Sequence, residues 1–355
     1  MRDPTARDPA TDLREIAFRL ERANEATYRV RAFRSAASAI GKLSAQELAE
    51  RLADGTLTKL PGVGDVTARC VAESLAGEEP VYLRRLAATA EVAIDEATAA
   101  LRQALRGDCH SHSDWSDGGS PIPEMALAAV NIGHEYLVVT DHSPRLTVAR
   151  GLSPERLRQQ LGEIRRINDQ LPEGFRLLTG IEVDIRADGS LDQEPELLAE
   201  LDVVVGSVHS NLRDERDVMT ARMLAAIANP YLDILGHCTG RKVATGGGDR
   251  AHRSGMIRKE SDFDAEAVFT ACAGYDKAVE INCRPDRLDP PKRLLRLAVE
   301  AGCRFSIDTD AHAPGQLDWL PAGCERAARC GVPAERVVNT WPVELLLTWT
   351  AGHEK

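Results

Sequence analysis

Along the first hundred residues, apolar side chains recur at helical spacing. Leu13, Ile16, Ala17 and Leu20 stand three and four apart, which puts them on one face of a helix. An alanine-rich run from Ala32 to Leu43 and a shorter one from Ala45 to Leu52 continue the pattern and end near Gly55. Leu60-Pro61-Gly62-Val63-Gly64 interrupts it and leads into a further helix reaching about Leu75. Stretches from Val81 to Leu86 and from Ile94 to Leu105 complete a helical region over residues 1–105.

Past residue 106 the pattern changes to short β-rich runs separated by helical ones. The runs lie near Cys109 and at Tyr136–Thr140, Leu177–Val183, Val203–Val208, Leu232–Leu235, Ala278–Ile281 and Arg304–Ile307. Between them fall Glu124–Ile132, Pro154–Leu171, Ala221–Ala228, Ala265–Ala273 and Lys292–Ala301. Repeated βα units without hairpin signals predict parallel strands. Seven of them predict an α/β domain over residues 106–355, a distorted (βα)7 barrel one unit short of the TIM kind.

Composition narrows the function classes. At 43% hydrophobic and 28% charged residues, the chain is of the globular type. No apolar run approaches the roughly 20 residues of a membrane span. The charged start, MRDPTARDPATDLRE, lacks the apolar core of a signal peptide, so a cytoplasmic location is expected. Eight cysteines without a CxxC pair exclude a zinc ribbon and a disulfide framework. The net charge of -11 excludes a generally basic coat. Within residues 14–34, however, six arginines (Arg14, Arg19, Arg22, Arg29, Arg31, Arg34) face only Glu15, Glu21 and Glu25. That run reads either as a solvated helix face or as a grip on a polyanion.

The glycines of the interrupting turn carry a second choice. Gly62 and Gly64 permit backbone conformations closed to other residues and a close approach by a nucleic-acid backbone. The helix that follows opens with unpaired N–H groups suited to phosphate. An ordinary tight helix–helix connection uses the same residues.

Candidate chemistry follows the strands. The first gives His110 and His112, then Asp117 in its loop; the next gives Asp141-His142. Glu182, His209, His237 and Asn282 follow in turn, and the last strand gives Asp310 and His312. Six of nine histidines thus fall at the C-terminal strand ends, where parallel barrels gather catalytic groups. Imidazoles and carboxylates together suit divalent metals, and this mixed set admits zinc, manganese or iron. Asp141 and Asp308 read as supports for ligand imidazoles or as strand-end caps. Arg241, Arg284 and Arg287 read as phosphate clamps or as loop salt bridges. His134 reads as structural, and His252 and His353 as solvent residues. The Gly-rich loop Thr245–Gly255 reads as a flap over the site.

Two resemblances sharpen this. Leu60-Pro61-Gly62-Val63-Gly64 resembles the helix-hairpin-helix motif, which binds DNA backbone without reading sequence. With Tyr28 to Ala37, it resembles the small N-terminal domain of family X DNA polymerases over residues 12–78. The resemblance implies that Gly62, Val63, Gly64, Arg29, Arg31 and Arg34 hold DNA ends or gaps. It does not imply deoxyribose-phosphate lyase activity, because Cys70 falls where the lyase members carry their Schiff-base lysine. The large polymerase palm that follows in that family has no room before Arg106-Gly107.

DCHSHSDWSDG, VTDHS, GIEVDI, GSVHS, LGHCTGR, EIN and DTDAH stand in the order of the PHP (polymerase and histidinol phosphatase) family, over residues 107–345. The resemblance is nearest to the PHP modules at the C-terminus of bacterial family X polymerases. It implies three divalent ions (Mn2+, Zn2+ or Fe2+). His110, His112, Glu182 and Asp310 would hold the first and form the catalytic set. Glu182 would bridge to a second, completed by His209 and His237, and Asp117, His142 and His312 would hold the third. A metal-bridging hydroxide would then attack a phosphoester. The function implied is a 3′–5′ exonuclease or DNA-end trimming enzyme of repair, with a small-molecule phosphatase such as histidinol-phosphatase as the alternative.

Overall fold

The computed structural model of the chain describes residues 7–88, 94–244 and 256–353. The flap Thr245–Gly255, with His252, lies outside the described residues. Contacts divide the chain into two compact units, Met1–Ala93 and Ile94–Lys355.

The first unit is helical: α1 (Pro9–Arg22), α2 (Thr27–Ile40), α3 (Ala45–Ala53), α4 (Asp65–Leu75) and α5 (Val81–Ala87). Asp8 starts α1 by accepting from the N–H groups of Ala10 and Thr11, and Pro9 needs no such partner. The predicted stripe is the buried face: Leu13, Ile16, Ala17 and Leu20 are fully covered by Phe33, Ala36 and Ile40 of α2 and by Val71 of α4. Each large side chain of that stripe contributes roughly 1.5–3 kcal/mol relative to exposure. α2 begins five residues before the expected Ala32, and its Arg34 forks onto the carboxylate of Glu21 in α1 at 3.0 and 2.8 Å. Cys70 lies in the same core, where burial pushes its thiol up to about 11.

Before α4, Gly62 sits at φ +89°. A Cβ there would stand 3.1 Å from Ser35 Cβ, so both conformation and space require glycine. Gly64 caps α4, and its N–H donates to Thr67 Oγ1 at 3.0 Å. Nothing lies within 4 Å of a Cβ built on Gly64. Lys59, Gly62, Gly64, Val66 and Arg69 are all exposed around this turn.

In the second unit α6 (Glu96–Ala104) precedes β1 (Gly107–Ser111), β2 (Tyr136–Val139), β3 (Arg176–Asp184), β4 (Val203–Ser207) and β5 (Ile234–Leu235). After a two-stranded excursion, β6 (Lys242–Val243) and β7 (Met256–Arg258), come β8 (Ala278–Asn282) and β9 (Arg304–Asp308). α6 packs against the barrel helix Leu320–Cys330 and joins the barrel core through Leu101. The sequence pattern groups it instead with the N-terminal helices. Its apolar face has the same period wherever it docks.

The main sheet is all parallel in the order β1-β2-β3-β4-β5-β8-β9, a nearly closed seven-stranded barrel. The β6–β7 pair is antiparallel and departs from the expected pattern of βα units alone. Two-residue β6 is too short to show a period.

The β1–β9 seam is held by buried side chains. Asp308 Oδ1 accepts from Cys109 N–H at 2.8 Å, and Asp108 accepts from Thr309 N–H. Asn339 Nδ2 donates to Gly107 O and Ile307 O, stitching both strands. Inside the barrel, Cys109, Val138, Val205 and Ile234 form an apolar layer with Leu346 and Trp349 of the last helix, Val343–Ala351. The end toward the C-termini of the strands is polar instead.

Candidate metal centre

The parallel register puts every strand's C-terminal end at one rim, and the candidate ligands meet there. His110 and His112 alternate along and just past β1, and their Nε2 atoms lie 3.1 Å apart. Glu182 in β3 stands at the centre. Its Oε1 is 2.8 Å from His237 Nε2 and 3.2 Å from His209 Nε2. Its Oε2 is 3.5 Å from His110 Nε2, 3.6 Å from His112 Nε2 and 2.8 Å from His142 Nδ1. Asp310 Oδ1 is 3.4 Å from His112 Nε2, and Asp117 Oδ1 is 3.3 Å from His312 Nε2 and 3.5 Å from His142 Nε2. Asp310 takes φ +52°, a left-handed conformation that aspartate tolerates better than most residues.

All nine residues therefore converge. Three overlapping donor groups form: His110, His112 and Glu182; His142, Glu182 and His209; and His112, Asp117, His142 and His312. The grouping departs from the expected partition. His112 joins the outer group, His142 approaches Glu182 as well as Asp117, and Asp310 and His237 fall in none of the three groups, although Asp310 lies 3.4 Å from His112 and His237 lies 2.8 Å from Glu182.

The donors fit divalent ions on an independent ground. His112 Nδ1, His142 Nδ1, Glu182 Oε2, both ring nitrogens of His209 and His237 Nδ1 are buried without a hydrogen-bond partner. His142 Nδ1 and Glu182 Oε2 approach to 2.8 Å yet lack hydrogen-bond geometry. Lone pairs buried without donors are costly unless a cation meets them. Mixed imidazole and carboxylate donors suit zinc, manganese or iron alike.

Electrostatics follow from crowding. Burial pushes the Glu182 carboxyl up, but the surrounding His209, His110 and His142 outweigh it and hold it well below the carboxylate range. Burial pushes His209 down, yet Glu182 and Asp184 raise it to about 9. His112, buried among His312 and His142, is driven well below the usual imidazole value.

Supports come from residues that sequence reasoning missed. Glu280 in β8 is fully buried, and its Oε1 lies 2.6 Å from His110 Nδ1 while Oε2 accepts the His237 N–H. Asp184 accepts from the His209 N–H at 3.1 Å. The signal available was their position in the strand-end segments GIEVDI and EIN. Asp141 and Asp308 do not touch ligand imidazoles. Asp141 accepts from Ser113, Ser116 and Gln160 and pins the first loop, and Asp308 holds the seam.

A cleft of about 350 Å³ opens over the centre. Arg284 and Arg287 line it, with Arg284 Nη1 3.4 Å from Asp310 Oδ1 and Arg287 Nε 3.1 Å from Asp310 Oδ2. Arg241 does not line it. Its guanidinium donates to the carbonyls of Arg287 and Leu288, bracing their loop, which corrects the phosphate-clamp expectation. Lys242 and Arg258, not anticipated, line the cleft from β6 and β7.

Of the three arginines expected to hold DNA, two are committed elsewhere. Arg34 is forked onto Glu21, and Arg29 bonds Glu25 and the Tyr82 hydroxyl, both at 2.6 Å. Arg31 is exposed and has no ion pair among the described residues. It lies one helical turn before Ser35, the residue against which Gly62 packs.

Comparison with known proteins agrees with both units. Residues 108–283 match the PHP domain, and residues 5–79 match the Helix-hairpin-helix domain. Residues 80–107 between them are too few for a polymerase palm. The chain is 37% identical over 235 residues to the DNA polymerase/3'-5' exonuclease PolX of Bacillus subtilis (strain 168). That match covers 66% of this chain and 39% of the relative, so the chain spans about two-fifths of that protein's length. It is 27% identical over 244 residues to a probable phosphatase of Thermoanaerobacter sp. (strain X514), covering 66% of this chain and 89% of that one. Histidinol phosphate phosphatase of Lactococcus lactis subsp. lactis Il1403, crystallised with zinc, L-histidinol and phosphate, overlaps at TM-score 0.45 and 18% identity, over 64% of this chain and 94% of that one.

Proposed function

Starting from a chain that belongs to the PHP family of phosphoester hydrolases, we propose that its substrate is DNA and that it trims strand ends, as a 3′–5′ exonuclease or end-processing repair enzyme. The observation that carries this reading is the turn at Gly62 and Gly64, both exposed while the Val63 side chain between them is buried in the helical core and offers DNA only its backbone, in a helix-hairpin-helix unit on the same chain as the PHP domain. The turn would hold the DNA backbone without regard to sequence, with Arg31, Lys59 and Arg69 adding positive charge. The eight free, buried cysteines suit a reducing, cytoplasmic compartment. No helix among the described residues is long and apolar enough to cross a membrane.

His110, His112, Asp117, His142, Glu182, His209, His237, Asp310 and His312 would hold up to three divalent ions, with zinc, manganese and iron all compatible. Such ions supply Lewis-acid charge and an activated water. The chain's own residues do the rest. Glu280 fixes the ring orientation of His110, and Asp184 anchors the segment carrying His209. Arg284 and Arg287 stand where an anionic phosphate enters the cleft and would neutralise charge as its ester bond breaks.

A second reading, a small-molecule phosphatase, is favoured by the probable phosphatases, which match along most of their length. One experiment separates the two. Gly64→Val has room in the fold, yet places a side chain against any approaching phosphate backbone. It should lower DNA-end cleavage roughly tenfold, more steeply as salt rises, and far more than hydrolysis of p-nitrophenyl phosphate. Equal effects on both substrates would remove the turn from DNA binding. Rapid turnover of histidinol phosphate beside inert DNA would establish the phosphatase.

A further inference from the structure

The cleft has a cationic wall that the metal centre does not use. Lys242 of β6 and Arg258 of β7 are direct cross-strand partners, and both line the cleft. Like charges opposite one another on one face of an antiparallel pair repel. Lys242 Nζ has one carboxylate nearby, Asp286 Oδ2 at 3.3 Å, and Asp286 is shared with Arg284 Nε at 3.2 Å. Among the described residues Arg258 has no carboxylate at ion-pair distance; its Nε donates to Gly240 O at 2.6 Å. In the same wall Arg287 keeps its Nη1 buried and without a hydrogen-bond partner. Four cations thus meet three carboxylates, Asp286, Asp310 and Asp117, and two of these, Asp310 and Asp117, converge on the candidate metal centre. With those two assigned to the metal centre, the surplus calls for more negative charge than a single scissile phosphate brings.

The rest of the cleft suits what lies between two phosphates. Leu146, Val148 and Ala149 also line it, and Val148 is 91% exposed. An apolar side chain left open beside a cationic wall matches a sugar and base flanked by phosphates.

We propose that the paired strands β6 and β7 form a second phosphate subsite, in which Lys242 and Arg258 hold a phosphate one sugar away from the scissile one. The subsite rests on the phosphoesterase reading of this cleft and deepens it. The preferred ligand carries two phosphates across one nucleoside, whether a polynucleotide strand or a free nucleoside bisphosphate.

The test uses the full chain. Metal-stripped protein, which cannot turn over ligand, is titrated calorimetrically with thymidine 3′,5′-bisphosphate and with thymidine 5′-monophosphate. Manganese-loaded protein is then assayed on the dinucleotide d(TpT), on d(pTpT) and on d(TpTp). The bisphosphate should bind about tenfold tighter than the monophosphate, and one of the two phosphorylated dinucleotides should be cleaved preferentially by a similar factor. Both ratios should fall below about threefold in Lys242→Gln and in Arg258→Gln. Lys242→Gln is decisive, because Arg258 also holds the Gly240 carbonyl. Thermal melts verify that each variant is folded. Equal binding of the two nucleotides by the unaltered protein overturns the subsite. So does an equal loss of both ligands in Lys242→Gln. Tight, Lys242-dependent bisphosphate binding with no cleavage of any dinucleotide supports the subsite and removes DNA as the substrate.

Discussion

Both ends of the barrel bury histidines, and they do so differently. At the N-terminal end, His353 is enclosed with Asp233 Oδ1 at 2.7 Å from Nδ1 and the Asp276 carbonyl at 3.2 Å from Nε2. His134, also buried there, has neither ring nitrogen partnered, and burial with Arg102 nearby drives it down to about 3. At the C-terminal end, six imidazoles and three carboxylates crowd together, and several of their buried atoms have no hydrogen-bond partner. A buried histidine alone is therefore no mark of a site. His353 satisfies its donors and acceptors pairwise, burial and Arg102 keep His134 neutral, and among the described residues it is at the C-terminal rim that unpartnered imidazole and carboxylate atoms crowd together.

The comparison can be broken hardest at Glu182. Glu182→Ala removes the carboxylate that lies within 3.6 Å of five of the six imidazoles, so phosphoester hydrolysis should fall at least ~10³-fold. Bound metal, measured by elemental analysis after loading and desalting, should drop further than in His142→Ala. Asp310→Asn keeps the shape and removes one charge, and a loss on the order of 10²-fold is expected with the melt preserved. A folded Asp310→Asn protein with normal turnover would take Asp310 out of the site.

A smaller effect belongs to the supports. Glu280→Gln leaves the nine converging residues in place but weakens the bond that orients His110. Metal affinity or activity should fall roughly 10–100-fold. An unchanged affinity and rate would show that His110 needs no orienting partner.

At the opposite rim the same kind of change should touch stability instead. His353→Ala strips a partner from the fully buried Asp233 and should cost about 1–3 kcal/mol in denaturant unfolding. Hydrolysis per folded molecule should stay constant. The smallest signature is His134→Leu. Because the folded state holds His134 neutral down to about pH 3, while an unfolded chain protonates it near 6.5, unfolding is favoured as pH falls between those values. The variant should show a shallower loss of melting temperature from pH 6.5 downward and no difference above it. Parallel curves for the two proteins would mean that His134 is solvated in the native state.

Much of this architecture is legible in one dimension. The stripe of Leu13, Ile16 and Leu20, the glycine turn at Gly62 and the seven β-runs are local patterns, and local patterns carry their own period. The nine rim residues could be read because parallel strands bring sequence-distant ends to one side, so "just after a strand" is already a spatial address. Pairing has no such address. Glu280 reaches His110 across 170 residues of chain, and Asn339 stitches a seam 232 residues away. Arg34 and Arg241 look like free cations until Glu21 and the loop carbonyls take them up, and α6 looks like its helical neighbours until it docks on the barrel. Lys242 and Arg258 become a cleft wall only when a two-residue strand finds its partner. The sequence by itself set the elements and the rim, because both follow from short-range periodicity and chain direction. The tertiary structure alone decided which charges are left to meet a ligand, because that depends on who fills the space beside each one.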